Sequence, residues 1–102
     1  MSRREQLEEM LRAEPDDQFL QYALAMECAS AGDAPEAVER LDRVIRRDPD
    51  YVAAYFQKGQ ILAREGRTAE AADALRTGIE AARRTGNAHA EGEMAGFLEA
   101  IA

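Results

Sequence analysis

The sequence predicts an all-α fold in which antiparallel helix pairs stack as a short solenoid of about five helices. Three observations lead there. Pro15 and Pro49, Asp16 and Asp50, Gly32 and Gly66, and Ala37 and Ala71 each stand 34 residues apart. Two apolar series, Leu7–Leu41–Leu75 and Leu11–Ile45–Ile79, follow the same offset. Gly32 and Gly66 interrupt otherwise unbroken helical patterns, where glycine supplies the left-handed conformation that ends a helix. A fixed period of this size marks a stacked repeat in which no unit buries its apolar face alone.

Each element has its own signals. Residues 3–13 match the second helix of the later repeats at the 34-residue offset, so residues 3–14 read as a half repeat. The first full repeat spans 17–48. Its first helix covers 17–31, and Asp33, Pro35 and Glu36 mark the start of its second, which runs to about Arg47 before Asp48-Pro49-Asp50 stops it. The second repeat, 51–85, has helices over 51–65 and from Thr68, read as an N-cap, to about Arg84. Gly86 terminates that helix and Asn87 caps the last one, 88–101. The stripe of Ala90, Met94, Phe97, Leu98 and Ile101 makes this last helix a cap over the apolar face of the helix before it. Gly92 and Gly96, one turn apart, are expected to let it approach Ala71, Ala74 and Gly78. Met1 together with a capping last helix leads to the expectation of a complete chain.

Composition excludes several classes of function. The length of 102 residues corresponds to a single domain, 1–102. With 20 acidic and 13 basic residues the net charge is -7, a field that repels phosphate backbones and anionic lipid, so nucleic acid is not an expected partner. The longest apolar run in the body of the chain, Tyr22 to Met26, falls far short of the roughly 20 residues of a membrane helix. Arg3, Arg4, Glu5, Glu8 and Glu9 stand where a secretory leader would need an apolar run. A lone cysteine, Cys28, fits a reducing compartment, and the chain is read as cytoplasmic.

On these residues the chain resembles the tetratricopeptide repeat family over nearly its whole length. Counted from Gln18 and Val52, the family's small eighth residue is matched by Ala25 and Gly59, its small twentieth residue by Ala37 and Ala71, and its closing proline by Pro49. Helices of such a pair approach closely only where side chains are short, and Gly59 and Gly78 meet that need. There are departures. Gln21 stands where the second repeat has the aromatic Tyr55, Lys58 replaces the leucine that the first repeat has as Leu24 and is expected to snorkel, and Ala82-Arg83-Arg84 lacks the closing proline.

The resemblance implies a right-handed α-solenoid whose first helices of each pair, the A helices, line a concave surface. It places Phe19, Tyr22, Met26, Phe56, Gln57, Gln60 and Arg64 there, as a groove for a peptide or helix of a partner protein. The residues partly agree on their own account. The helix over 17–31 is apolar nearly all round; Leu20, Leu24, Ala25 and Cys28 suit the core, leaving Phe19, Tyr22 and Met26 for a groove, for another part of the chain, or for a second copy. Replacing Tyr22 and Met26 with serine is expected to remove partner capture without unfolding. Some family members clamp acidic peptide C-termini with lysine, arginine and asparagine. That set is absent, so the expected ligand is an apolar or mixed segment read partly through the amides of Gln57 and Gln60.

Other readings carry less. Glu36–Arg40, Glu39–Arg43 and Asp42–Arg46 stand four apart in the favourable order and describe a solvated outer face. Arg40, Arg43, Arg46 and Arg47 would otherwise suggest an anion site. Cys28, within an apolar helix face, reads as a structural thiol rather than a nucleophile. His89 and Glu93 are one turn apart, but two ligands do not make a metal site, and no cofactor is implied. A homodimer, through the groove or by exchange of a terminal helix, is the alternative function; a small metal- or thiol-dependent enzyme is a remote one.

Overall fold

The computed structural model describes residues 1–102 and contains six helices and no strand: α1 (Arg3–Ala13), α2 (Gln18–Ser30), α3 (Ala34–Arg47), α4 (Val52–Arg64), α5 (Thr68–Arg84) and α6 (Ala88–Ile101). The total exceeds the expected five because the opening half repeat and the closing cap each add a helix to the four of the two full repeats. Every helix lies within one residue of its expected bounds.

The helix ends show why. After α2, α4 and α5 the chain turns on Gly32, Gly66 and Gly86, at φ of 83°, 78° and 71°. The residue following each glycine donates back to a helix carbonyl: Asp33 to Cys28, Arg67 to Leu62 and Asn87 to Ala82, at 2.9, 2.9 and 2.8 Å. This bond closes the Schellman turn and satisfies carbonyls that the helix leaves open. At the N-termini, Asp17, Asp33 and Asn87 accept from the backbone N–H of Leu20, Glu36 and Ala90. Ser2 and Glu5 form a reciprocal capping box. Thr68 is not the cap of α5: it is the first helical residue, and Arg67 before it makes no side-chain cap bond.

Neighbouring helices pack in chain order, α2 on α3, α4 on α5 and α5 on α6, with α3 joining the two repeats to each other. Leu7 and Leu11 of α1 meet Leu20 and Leu24 of α2 in one cluster. Ala25, Cys28, Ala37, Leu41, Val44, Ala54 and Ile61 form a second. Tyr55, Leu75, Ile79, Ala81, Ala82 and Met94 form a third, and Ile45 packs against both of these larger clusters. The four residues of α2 assigned to the core, Leu20, Leu24, Ala25 and Cys28, are its four buried ones. Short side chains set the closest approaches. A Cβ on Gly78 would lie 2.6 Å from Tyr55 Cβ and 2.6 Å from Met94 Sδ, and one on Gly59 would lie 2.8 Å from Leu75.

The role expected of Gly92 and Gly96 is not what the structure shows. Both are exposed, with nothing within 4 Å of an added Cβ, and Met94 is the residue of α6 that reaches Gly78. Helical period places residues on a face, but Met94 and the glycines lie on different faces and apolar burial selects the methionine.

The loops before α4 and α2 are held alike. The Tyr55 hydroxyl donates to the Pro49 carbonyl at 2.7 Å, and Gln21, 34 residues earlier, donates its amide to the Pro15 carbonyl at 3.3 Å. Asp50 accepts from Arg84 at 2.6 Å and Asp16 from Arg47 at 2.9 Å. The recurring Pro-Asp pair thus supplies a carbonyl and a carboxylate that tie each loop to the helix pair after it.

Candidate functional site

Of the apolar surplus of α2, Phe19 stays open and Tyr22 is covered from the side of α4. Phe19 is 67% exposed and packs against none of the core clusters. Tyr22 is half-buried, and what covers it is Tyr51, the residue that precedes α4, with ring centroids 5.3 Å apart and planes tilted by 35°. The Gln57 side chain of α4 acts on the Tyr22 phenol, opposing the rise that burial gives its pKa. Next to Gln57, Phe56 meets Phe97 of α6 edge to face, centroids 6.0 Å apart. Tilted and edge-to-face pairs are the favoured aromatic geometries.

The strip is built from two aromatic pairs, Tyr22 with Tyr51 on one side and Phe56 with Phe97 on the other. Of the residues expected here, Tyr22 and Phe56 each enter an aromatic pair, with Tyr51 and Phe97, and Gln57 follows Phe56 half-buried on α4. Met26 and Gln60 are half-buried on the same two helices. Arg64 is exposed in the last turn of α4, where it borders a small cavity with Gly32 and Ala34 that none of the aromatics lines. Sequence reasoning missed Tyr51, a loop residue, and gave Phe97 only a capping role. The signal for Tyr51 is its place directly before an A helix, one turn ahead of Tyr55. None of the four cavities of the surface is lined by Phe19, Tyr22, Met26, Phe56, Gln57 or Gln60. These residues therefore lie on an open face and line no concave pocket of the kind that small molecules occupy.

Burial holds both phenols of the Tyr22–Tyr51 pair above the ordinary value of 10.0; Gln57 opposes the shift at Tyr22, and repulsion from Tyr22 adds to it at Tyr51. A proton bound more tightly in the folded state gives stability that is complete below pH 10.0 and is lost as pH rises through the folded value. Phenolate absorbance and the thermal midpoint followed together are expected to show the fold weakening above pH 10.0, with a shallower fall in Tyr22→Phe. An unchanged slope in that variant would separate the Tyr22 hydroxyl from the effect.

The outer charges differ from expectation at one place. Glu36–Arg40 and Glu39–Arg43 form at 3.2 and 2.8 Å, but Asp42 pairs with Lys58 of α4 at 2.7 Å rather than with Arg46. Lys58 therefore does not snorkel to water. Its ammonium spans α3 and α4, both partners half-buried, where a tertiary ion pair outcompetes an exposed one along the same helix. Glu36 also accepts from Arg4 of α1 at 2.7 Å, and this hydrogen bond is the main cause that holds its carboxyl below the usual range.

The reactive groups are placed as structural ones. Cys28 is fully buried, its thiol donating to Glu36 at 3.6 Å, and burial pushes the thiol pKa up, away from the thiolate a nucleophile needs. His89 and Glu93 meet at 3.2 Å on an exposed turn with no third ligating residue grouped with them. No helix is long and apolar enough to cross a membrane.

Comparison with known proteins agrees with this architecture. The sequence profile of the tetratricopeptide repeat matches residues 22–88. A tetratricopeptide repeat-containing protein of Pseudomonas aeruginosa is 35% identical over 97 residues, spanning 95% of this chain and 92% of its own. Among solved structures, a tetratricopeptide repeat domain protein from Salinibacter ruber aligns with a TM-score of 0.81 at 33% identity, covering 85% of this chain and 88% of that one. A protein from Bordetella parapertussis aligns at 0.87 and 28% identity, covering 99% and 88%.

Proposed function

The chain belongs to the tetratricopeptide repeat family, whose fold is generally a protein–protein interaction module, and on that premise we propose that its A-helix face binds a segment of a partner protein. The observation that carries this reading is Phe19, a large aromatic 67% exposed on α2, three residues before the Tyr22 that pairs with Tyr51. Large aromatic surfaces left open beside amides are what interfaces use, since rings bury much area at small entropic cost. Phe19, Tyr22, Met26, Phe56, Gln57 and Gln60 form the contact surface in this reading, joined by Tyr51 and Phe97. Arg64 lies apart, at the far end of α4.

The chemistry of the face selects the ligand. It offers rings, one thioether and two amides, and the only cation expected there stands apart, so apolar or mixed segments fit it and acidic termini do not. The Gln57 and Gln60 amides can each donate to and accept from a peptide backbone.

Testing this requires a variant that removes contact area and leaves the fold alone. Tyr22→Ser is a poor choice, because Tyr22 packs on the second core cluster and stacks on Tyr51. Phe19→Ser is better placed. Ligands selected by the wild-type chain from a displayed library of random peptides are expected to bind Phe19→Ser at least about tenfold more weakly, a loss of roughly 1.4 kcal/mol. The thermal midpoint should stay unchanged. Selected ligands that bind both proteins equally would exclude Phe19 from the surface.

A further inference from the structure

The two repeats share their framework at an offset of 34, yet one niche is built differently in each. In the second repeat the positions are Pro49, Val52, Tyr55, Thr77, Glu80 and Ala81. There the Tyr55 ring is buried with Ala81 and Ala82 and its hydroxyl donates to the Pro49 carbonyl at 2.7 Å; the cavity of about 360 Å³ that Tyr55 and Thr77 border includes none of the other four and is lined with carboxylates, Glu70 and Asp73. The equivalent residues of the first repeat are Pro15, Gln18, Gln21, Arg43, Arg46 and Arg47, and together they line a cavity of about 310 Å³. Only the proline is retained. No carboxylate lines this cavity, in a chain whose net charge is -7.

The lining is rich in donors. Gln21 spends its amide on the Pro15 carbonyl at 3.3 Å, and Gln18 donates to the Val44 carbonyl at 3.0 Å. Arg43 and Arg47 have carboxylate partners outside the lining, Glu39 and Asp16, at 2.8 and 2.9 Å. Arg46, whose expected partner Asp42 pairs with Lys58 instead, makes no ion pair within the chain. One acceptor faces the opposite problem: Gln21 Oε1 is buried and has no hydrogen-bond partner. A buried acceptor left without a donor is destabilising.

Helix polarity explains part of this. Arg46 and Arg47 stand in the last turn of α3, where cations complement the negative end of the helix. That accounts for their sign, but not for the cavity, for the loss of the tyrosine that fills the second niche, or for the unpaired oxygen of Gln21. Nor does the helix end repel an anion decisively, since its roughly half charge is smaller than the unit charge of Arg46 alone.

We propose that this cavity binds a phosphate monoester with an O–H or N–H donor close to its phosphoryl group, carried by a small polyol or by a phosphorylated serine or threonine of a partner. The phosphoryl oxygens accept from the guanidinium groups, with Arg46 as the free fork, and the neighbouring donor satisfies Gln21 Oε1. A phosphoryl group presents three oxygens to three guanidinium groups, whereas a carboxylate presents two in one plane and is saturated by a single fork. The volume suits the small end of ligand sites, a phosphoryl group plus a few heavy atoms. None of the residues on the A-helix strip lines the cavity, so this site is separate from the proposed protein-binding face.

The test is a titration of the full chain followed by NMR at the side-chain amide of Gln21 and the Nε–H of Arg46. Glycerol 3-phosphate and a blocked phosphoserine residue are the two probes, with sulfate as an anion that has no donor. One of the two monoesters is expected to shift both signals at submillimolar concentration, and the tighter of them identifies the source. Arg46→Gln should weaken that binding about tenfold or more. Gln21→Tyr, which recreates the filled niche of the second repeat, should abolish it while preserving the thermal midpoint. No shift from either monoester up to about 10 mM overturns the proposal. So does a sulfate affinity equal to that of both, or unchanged affinity in Gln21→Tyr, since each describes an unselective anion at surface arginines.

Discussion

Gly78→Ala is expected to lower the unfolding free energy by about 2 kcal/mol and the thermal midpoint by about 10 °C. The direction is opposite to that of an ordinary glycine in a helix, where alanine stabilises by about 1 kcal/mol. At Gly78 the new methyl would stand 2.6 Å from Tyr55 Cβ, an atom fixed to the α4 backbone, and 2.6 Å from Met94 Sδ, the far end of a flexible side chain of α6. The thioether can swing aside; Tyr55 Cβ cannot without moving a helix whose phenol is tied to Pro49. Overpacking at such a junction costs about 1–3 kcal/mol, and with two contacts this short the upper end applies before the helical gain is subtracted. Gly92→Ala and Gly96→Ala provide the contrast on the same fold. With nothing within 4 Å of either added Cβ, each is expected to raise stability by about 0.5–1 kcal/mol. Thermal melts of the three variants give the comparison, and a stabilised Gly78→Ala would show that α4 and α5 are not pressed together there.

Met94→Ala is expected to cost about 3 kcal/mol, within the range of about 2–5 for a large side chain deleted from a core. Met94 is the one buried residue of α6, and it lies against Tyr55, Leu75, Ile79, Ala81 and Ala82. The rest of that helix holds on through half-buried Ala90, Phe97, Leu98 and Ile101, so the loss is expected to appear as local opening of α6 ahead of global unfolding. Hydrogen exchange along residues 88–101 distinguishes the two. Because Met94 Sδ is also one of the two atoms that would lie 2.6 Å from a methyl at position 78, the two substitutions are coupled. The double variant Gly78→Ala/Met94→Ala should lose less than the sum of the singles, by about 0.5 kcal/mol or more. Strict additivity would mean that the Tyr55 contact alone carries the cost at Gly78.

Local and periodic features of this fold are legible in the sequence. The Leu7–Leu41–Leu75 series is buried throughout, at 2%, 0% and 0% exposure, because the leucines occupy equivalent places on α1, α3 and α5, facing the neighbouring helices. The three glycine turns follow from backbone sterics that no distant contact needs to support. The core set of α2 is legible as well, since only four of its apolar residues fit inward-facing stripes. Pairings set by tertiary geometry were not. Asp42 has equivalent local claims from Arg46, one turn on, and only the docking of α4 brings Lys58 close enough to win it. The Tyr22–Tyr51 and Phe56–Phe97 pairs depend on how far adjacent A helices are offset, which periodicity does not specify. The same limit explains Gly92 and Gly96: spacing one turn apart permits close packing but does not choose which face of α6 turns inward. Arg64 was assigned to the strip by its place in the repeat, yet it projects from the end of α4 toward the Gly32 turn.

The protein-binding reading is tested most directly by chemical-shift mapping of the full chain against a peptide selected by it. Shifts are expected to concentrate at Phe19, Tyr22, Tyr51, Phe56, Gln57 and Phe97, and to vanish at equal peptide concentration in Phe19→Ser. Shifts confined to the exposed faces of α3 and α5, with the aromatic strip unmoved, would contradict it.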